Sequence, residues 1–290
     1  MNRNYMKGVL LVLASLLSFG IMMIFSALTS DAVSLSLQVF MRNIIGFATA
    51  AFLCRRGGVS ILGKRSSQPL LIARSVAAVI CIYLLFYAGK HTSQSNIAIV
   101  YRLSMFTVAL VSVKVLHERL TPMHIPAMVI AFVGVVIASN PRFNADMFPL
   151  LCVFVAMLCD TVSAPVLRLL ADKEDSRTVV SYLSLFCSAV SLVGLLMHPV
   201  MPHGMDWFYL IGIGLTALAG QLFMTRSYAY AGAAEISIYN QFGIVVNTIL
   251  GFLFLGQRPG WHTFLGGGIV LLASLLLYFA RAKDLNKESA

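Results

Sequence analysis

The stretch KGVLLVLASLLSFGIMMIFSAL (residues 7–28) determines the class of fold. After its first residue it carries no charge, and it supplies the ~20 residues that an α-helix needs to cross a hydrocarbon core of about 30 Å. Its apolar residues run continuously, whereas the strands of a membrane β-barrel alternate between apolar and polar positions. The stretch therefore predicts a transmembrane helix and an all-α membrane protein.

Nine further stretches have the same character, which argues against reading the first as a cleaved leader. The loops between them are short, so the chain has no room for a soluble domain. Apolar residues make up 59% of the chain and charged residues 11%, against roughly 25% charged residues in soluble domains. This composition excludes a soluble enzyme, a nucleic-acid binder and a disordered chain. The ten predicted spans are 7–28, 33–54, 69–89, 95–116, 122–139, 147–169, 177–198, 206–229, 235–256 and 260–281.

The basic residues predict how the chain is oriented. If the amino terminus is cytoplasmic, fifteen of the 21 Lys and Arg residues fall on or near the cytoplasmic side and three fall outside. The other three, Arg42, Arg74 and Arg102, lie within spans. Cytoplasmic loops of membrane proteins carry such an excess of positive charge. We therefore expect ten spans, both termini in the cytoplasm and a location in the cell inner (cytoplasmic) membrane.

Ten spans divide into two halves of five, 1–141 and 142–290. A shift of 139 residues aligns Leu116 with Leu255 and places the break after span 4 on the break after span 9. Because five is an odd number, the second half begins on the opposite side of the membrane from the first. The sequence therefore predicts two inverted five-helix repeats, an arrangement that favours two alternating conformations around a central site.

The first of these breaks also carries a family resemblance. VLHERLTP (115–122) is followed by IAFVGVVIA (130–138), and a weaker counterpart stands at Gly-Gln-Arg, 256–258. In these segments the chain resembles the drug/metabolite transporter superfamily, in its ten-helix EamA-type branch. The resemblance implies a transporter with a central pocket, which is not an enzyme and needs no cofactor.

The resemblance has further implications for helix packing. Small residues in spans 5 and 10, Gly134 and Gly266 among them, predict close helix contacts. In the family these two helices lie at the periphery or in a dimer contact, so a homodimer is left open. Members of the family often have a proline in the middle of helices 4 and 9, where this chain has Met105 and Ile244. A proline-broken cavity helix is therefore not expected.

Charged residues deep in the spans are the first candidates for a substrate site, because each costs about 2.5–3.5 kcal/mol to insert. They are Arg42 in span 2, Arg102 in span 4 and Asp160 in span 6. The Asp160 carboxylate balances one of the two arginines, and one positive charge remains. This excess favours a substrate whose own carboxylate is held by a planar guanidinium. Two other roles stay open: an Arg–Asp pair that only fixes packing, and a proton-carrying Asp160. Arg74 is interpreted as a residue that extends to the membrane interface.

Polar and aromatic residues form a second layer at similar depth. The 139-residue shift places Tyr101 and Arg102 on Asn240 and Gln241, as a pocket between two repeats requires. Taken singly, a membrane Tyr is more often an interface anchor, and an Asn more often bonds a neighbouring helix. The predicted substrate-binding residues are Arg42, Arg102, Asp160, Tyr101, Tyr239, Asn240, Gln241, Gln38, Tyr83 and Asn96.

The sequence predicts a secondary active transporter of a small metabolite, working by alternating access among membrane lipids. An amino acid or a related carboxylate or zwitterion is the favoured substrate, coupled to a proton or to an exchanged metabolite. Nucleotide-derived metabolites and cationic drugs are alternative substrates. An intramembrane enzyme acting on a lipid-linked group and a passive channel are the alternatives from other classes. The five cysteines, none with CxxC spacing, are expected to be buried thiols.

Overall fold

The computed structural model describes residues 3–30, 33–91, 97, 100–101, 103–117, 120, 122–139, 147–197, 201–256 and 260–288. Over these residues the chain is helical, without strands, and two short 3-10 helices occupy Arg65–Ser67 and Asn240–Phe242. The α-helices are α1 (Arg3–Leu28), α2 (Leu35–Arg56), α3 (Gln68–His91), α4 (Ser104–Val115), α5 (His124–Ser139), α6 (Met147–Ala171), α7 (Ser176–Met197), α8 (Asp206–Ser227), α9 (Ala233–Tyr239), α10 (Gly243–Leu255) and α11 (Trp261–Glu288).

Eight helical stretches of the described chain are long and apolar enough to cross a membrane. They are α1, α2, α3, α6, α7, α8 and α11, together with the stretch from α9 to the end of α10, which counts as one. The predicted spans 4 and 5 fall on α4 and α5, which are apolar but shorter. The fold is therefore an all-helical membrane fold, and the total of ten spans stays a prediction.

The helices of the first half pack mainly against helices of the second half. The most extensive contacts pair α1 with α8, α2 with α7, α3 with α6 and α5 with α11. In addition, α4 contacts α6 and α1 contacts α10. This pairing is the same when the two halves are exchanged. The first helix of each half packs against the third helix of the other half, the two second helices pack against each other, and so do the two fifth helices.

The contact between α5 and α11 brings two helix backbones close together. A Cβ atom added to Gly134 would lie 2.8 Å from the carbonyl oxygen of Gly266. Ala127 and Ala131, on the same helix as Gly134, are fully buried. The predicted close contact at Gly134 and Gly266 is confirmed, and it joins α5 to α11.

The helix that corresponds to the predicted span 9 is interrupted at Asn240–Phe242. The interruption forms without a proline. At the interruption the Gln241 amide nitrogen donates to the Ser237 carbonyl at 3.0 Å, which is the carbonyl that accepts the backbone N–H of residue 241 in a regular α-helix. After the interruption α10 begins at Gly243, which is 139 residues beyond the start of α4 at Ser104.

Candidate functional site

A cavity of about 480 Å³ lies between the two halves of the chain. Its wall is formed by α1, α2, α3 and α4 from the first half and by α6, α7, α8, α9, α10 and the 3-10 turn from the second. Ligand pockets usually measure about 300–1,000 Å³, so a small metabolite fits this volume. The polar residues in the wall are Arg42, Asn43, Arg74, Tyr101, Ser104, Asp160, Ser163, Ser184, Gln221, Tyr228, Ser237, Asn240, Gln241 and Asn247.

Three charged side chains line the cavity among the described residues. Arg42 comes from α2, Arg74 from α3 and Asp160 from α6. Two guanidinium groups and one carboxylate leave one positive charge. Because this charge faces a cavity inside an apolar helical protein, an anionic group on a ligand would be attracted there.

The two arginines differ in their surroundings. Arg42 is half-buried and joins neither ion pair of the described residues, Arg168–Asp172 and Arg177–Asp175. Arg74 is 4% exposed. Its Nη1 donates weakly to the Val179 carbonyl at 3.4 Å, and its Nε is buried with no hydrogen-bond partner in the described structure.

The interpretation of Arg74 as a residue that extends to the membrane interface is wrong. Its helix, α3, is packed against both α6 and α7, so the Arg74 side chain is enclosed by protein and lines the cavity. Its position in the sequence, near the start of a predicted span, gave no indication of which face it occupies.

Asp160 and Tyr101 meet on one wall of the cavity. The Tyr101 hydroxyl lies 3.8 Å from the Cys81 sulfur and is close enough to the Asp160 carboxylate for electrostatic interaction. Asp160 is also close enough to Arg74 for electrostatic attraction. The cavity therefore offers an acid, a phenol and a guanidinium to a bound molecule, which are groups suited to orienting a polar ligand.

The interrupted helix brings Asn240 and Gln241 to the cavity wall. Gln241 is 2% exposed. Its Nε2 is occupied by the Ser237 carbonyl, whereas its Oε1 is buried without a hydrogen-bond partner in the described structure. The side-chain carbonyl thus remains as an acceptor at the point where the regular helix stops.

Three of the predicted site residues lie away from the cavity wall. The Tyr239 hydroxyl bonds to that of Tyr5 at 2.8 Å. The Gln38 amide accepts from Ser26 and donates to Thr29. Tyr83 is 47% exposed. Successive helical residues point about 100° apart, so a neighbour in sequence such as Tyr239 need not share the face of Asn240.

Two predicted site residues, Arg102 and Asn96, lie outside the described residues. Sequence reasoning missed Asn43, Ser163, Ser184 and Gln221, all of which line the cavity. Asn43 lies at the same depth of span 2 as Arg42, but adjacency in sequence does not place two residues on one helix face. The other three are single polar residues in apolar helices, and the sequence alone does not separate them from residues that bond within their own helix.

All five cysteines are free thiols. Four are buried and Cys159 is half-buried, which agrees closely with the expected buried thiols. Cys81 and Cys187 line the cavity.

Comparison with known proteins gives one family over nearly all of the chain. The EamA-like transporter family profile matches residues 6–140 and, separately, residues 147–279. The pseudopaline exporter of Pseudomonas aeruginosa is 26% identical over 275 residues, covering 93% of this chain and 95% of the exporter. A riboflavin transporter of Brucella anthropi is 23% identical over 245 residues, covering 82% and 86% of the two chains.

A further relative and a solved structure extend the comparison. Human solute carrier family 35 member G1 is 23% identical over 231 residues, covering 73% of this chain and 62% of the carrier. One crystal structure superimposes with a TM-score of 0.77 at 18% identity, covering 93% of this chain and 98% of the other. At that identity the superposition supports the fold alone.

Proposed function

The chain belongs to the EamA-like transporter family and is a multi-pass membrane protein, and we propose that it is a secondary active transporter of a small metabolite that carries a carboxylate. An amino acid or a related zwitterion is the favoured substrate. The proposed location is the cell inner membrane, with both termini in the cytoplasm.

The observation that carries this proposal is the charged lining of the central cavity. Arg42 and Arg74 supply two guanidinium groups, which suit a substrate carboxylate, and Asp160 supplies an acid that suits a substrate ammonium group. These charges lie in a cavity between apolar helices of both halves, where they act on a ligand more strongly than they would at an exposed surface.

Alternating access is supported by the relation between the two halves. The helix pairing is unchanged when the halves are exchanged, the family profile matches each half separately, and α4 and α10 begin 139 residues apart. We propose that residues 1–141 and 142–290 are inverted five-helix repeats that make ten spans. In such proteins the substrate site lies at the repeat interface, and the two repeats rock about it.

Other substrates stay in the proposal as alternatives. The relatives are named for transport of pseudopaline and riboflavin, and nucleotide-derived metabolites also carry anionic groups. Cationic drugs are less favoured because one positive charge remains in the lining. A proton carried by Asp160, or an exchanged metabolite, is the proposed coupling partner. An intramembrane enzyme is the alternative of another class, and substrate turnover by the purified protein would identify it.

The test is a thermal-shift screen of the detergent-purified protein, followed by counterflow in liposomes. The screen contains amino acids, organic acids, nucleosides, riboflavin and pseudopaline, together with organic cations and hydrophobic drugs. A ligand at 100 times its Kd stabilises the folded protein by about 2.7 kcal/mol. We expect carboxylate-bearing compounds to stabilise the protein and to show saturable counterflow, which a channel does not. Stabilisation by cations or hydrophobic drugs alone would overturn the carboxylate proposal and make Asp160 the centre of the site.

A further inference from the structure

Two buried side chains in the cavity wall have unused hydrogen-bonding groups of opposite kind. Arg74 and Gln241 are 4% and 2% exposed. The unused group of Arg74 is a donor, Nε, and that of Gln241 is an acceptor, Oε1. Ser67, Ser112 and Thr225 also have a buried atom without a partner, but they are absent from the cavity wall. A buried polar group without a partner destabilises the folded protein and calls for an explanation.

The position of the Arg74 guanidinium defines which of its edges is available. Nη1 is directed to the Val179 carbonyl, so the edge formed by Nε and Nη2 is left for a ligand. Those two N–H bonds are parallel, and a carboxylate accepts both in a bidentate pair. Arg42, by contrast, is half-buried, and the structure gives no comparable fixed edge for it.

The orientation of the Gln241 amide follows from its partner. The Ser237 carbonyl can only accept, so the amide nitrogen faces it at 3.0 Å. The reverse orientation would place two oxygens against each other. Oε1 is therefore an acceptor, which suits an N–H donor and disfavours a second carboxylate.

We infer that Arg74 and Gln241 are the pair that selects the substrate, Arg74 binding its carboxylate and Gln241 accepting a hydrogen bond from its amino group. The inference rests on the proposed function and narrows it. The two residues come from different halves of the chain, from α3 and from the 3-10 turn between α9 and α10. A substrate that needs both contacts is held only when both halves surround it, as a site at a repeat interface requires.

The inference predicts a crossed change in selectivity. The probes are the twenty common L-amino acids, their carboxamides, which lack the carboxylate, and the matching acids without the amino group. Binding to purified protein is measured by thermal shift and by displacement of a radiolabelled amino-acid mixture. Wild type should prefer the amino acids over both analogue series.

The Arg74→Gln variant should bind the preferred amino acids roughly 10- to 100-fold more weakly, since a charged hydrogen bond contributes about 1.5–3 kcal/mol. It should also lose the preference over carboxamides while keeping the preference over the acids. Arg74→Lys, which keeps the charge without the planar fork, should fall between wild type and Arg74→Gln. Arg74→Lys also tests the inference if Arg74→Gln fails to fold.

The Gln241→Leu variant should do the reverse. It should lose the preference over the acids, with about tenfold weaker binding of the amino acids, and keep the preference over carboxamides. Arg168→Gln and Gln38→Leu are matched controls, because neither Arg168 nor Gln38 lines the cavity. Arg168 bonds to the backbone carbonyl of Tyr228, and Gln38 bonds to Ser26 and Thr29. Both should keep wild-type selectivity.

The outcomes separate this inference from the proposed function. If wild type binds amino acids and both variants keep its selectivity, the pair has no role and the proposed function stands. If both variants lose binding of all three probe series equally, Arg74 and Gln241 have a structural role, and the inference is overturned. If wild type binds none of the amino acids, the zwitterion substrate of the proposed function fails, and this inference fails with it.

Discussion

The central cavity and the contact between α5 and α11 differ in how completely their groups are packed and paired. In the cavity wall, Arg74 and Gln241 keep buried polar atoms without partners around a space of about 480 Å³. Between α5 and α11, a Cβ on Gly266 would meet the Gly134 carbonyl oxygen and the Ala138 backbone nitrogen. One region leaves interactions unmade, and the other brings two backbones into direct contact.

The difference indicates where the stability of the fold resides. Close packing of small residues is a main source of helix association in membranes, because lipid gives no hydrophobic drive between helices. Unpaired polar groups lower the stability of the ligand-free protein, and proteins commonly retain such a cost where function requires it. Substitutions in the α5–α11 contact should therefore change stability, whereas substitutions in the cavity should change binding.

The largest effect is expected for Gly266→Leu. Its new side chain would collide with backbone atoms of α5, which cannot rotate away, so the helices must separate at a cost of about 3 kcal/mol or more. The measurement is the temperature at which half of the detergent-solubilised protein remains monodisperse in size-exclusion chromatography. Gly268→Leu is the matched control, since nothing lies within 4 Å of a Cβ at Gly268. Equal melting of the two variants would refute the assigned role of the contact.

A smaller effect is expected at the Tyr5–Tyr239 hydrogen bond, which joins α1 to α9. Both side chains are buried, at 4% and 3% exposure, and their hydroxyls are 2.8 Å apart. Tyr239→Phe should lower the free energy of unfolding by about 1–2 kcal/mol and leave ligand selectivity unchanged. Tyr5→Phe should act alike, and the double variant should cost less than the sum of the two single variants. Altered selectivity in Tyr239→Phe would instead return this residue to the substrate site.

Tyr239 bonds to Tyr5 away from the cavity, whereas its neighbour Asn240 lines the cavity. The sequence predicted the depth of both residues in the membrane but not this difference in direction. Apolar length predicted every long helix, and predicted boundaries such as 147–169 and 206–229 lie within two residues of α6 and α8. The depth of a residue in the membrane follows from its distance in sequence from the ends of its span. The predictions for Arg42, Asp160, Tyr101, Asn240 and Gln241 placed these residues at a common depth, and the structure brings them to one cavity.

What the sequence did not predict is the direction in which a residue points. In a nearly uniform apolar helix, one face differs little from another, so the inward position of Arg74 depends on the packing of α3 against α6 and α7. The interruption at Asn240–Phe242 was likewise unexpected, because only proline was considered as a helix breaker. A polar pair such as Asn240 and Gln241 inside an apolar span is a second signal of interruption, through side-chain bonds to the backbone.

The Asp175 contact at the start of α7 should have an effect of about 1 kcal/mol, and it should depend on pH. Its carboxylate accepts from the Arg177 backbone and guanidinium, and the guanidinium holds the pKa of Asp175 below its usual value. A cap of this kind contributes roughly 1 kcal/mol. Because the pKa is lowered in the folded state, the contribution is present above pH ~3.9, the ordinary value for Asp, and is lost as the pH falls through the folded value.

Melting of wild type and Asp175→Ala at a series of pH values measures this effect. The difference in melting temperature should be constant near neutral pH and should shrink below about pH 4. Asp172→Ala is the control, because Asp172 is 74% exposed at the side chain and lies 3.5 Å from Arg168. It should change stability by less than about 0.5 kcal/mol. If the difference in melting temperature between wild type and Asp175→Ala does not change with pH, the carboxylate charge is not its cause.

The smallest effect on stability is expected for Gln241→Leu in the absence of ligand, and it tests the cavity side of the comparison. The substitution removes one hydrogen bond, to the Ser237 carbonyl, but it also removes a buried carbonyl without a partner. These two changes oppose each other, so the free energy of unfolding should change by less than about 0.5 kcal/mol. Gln38→Leu is the same substitution at a glutamine whose oxygen and nitrogen are both bonded, and it should cost about 1–2 kcal/mol. If Gln241→Leu is as destabilising as Gln38→Leu, Gln241 belongs with the packed part of the protein, and the cavity loses its distinction from the rest of the fold.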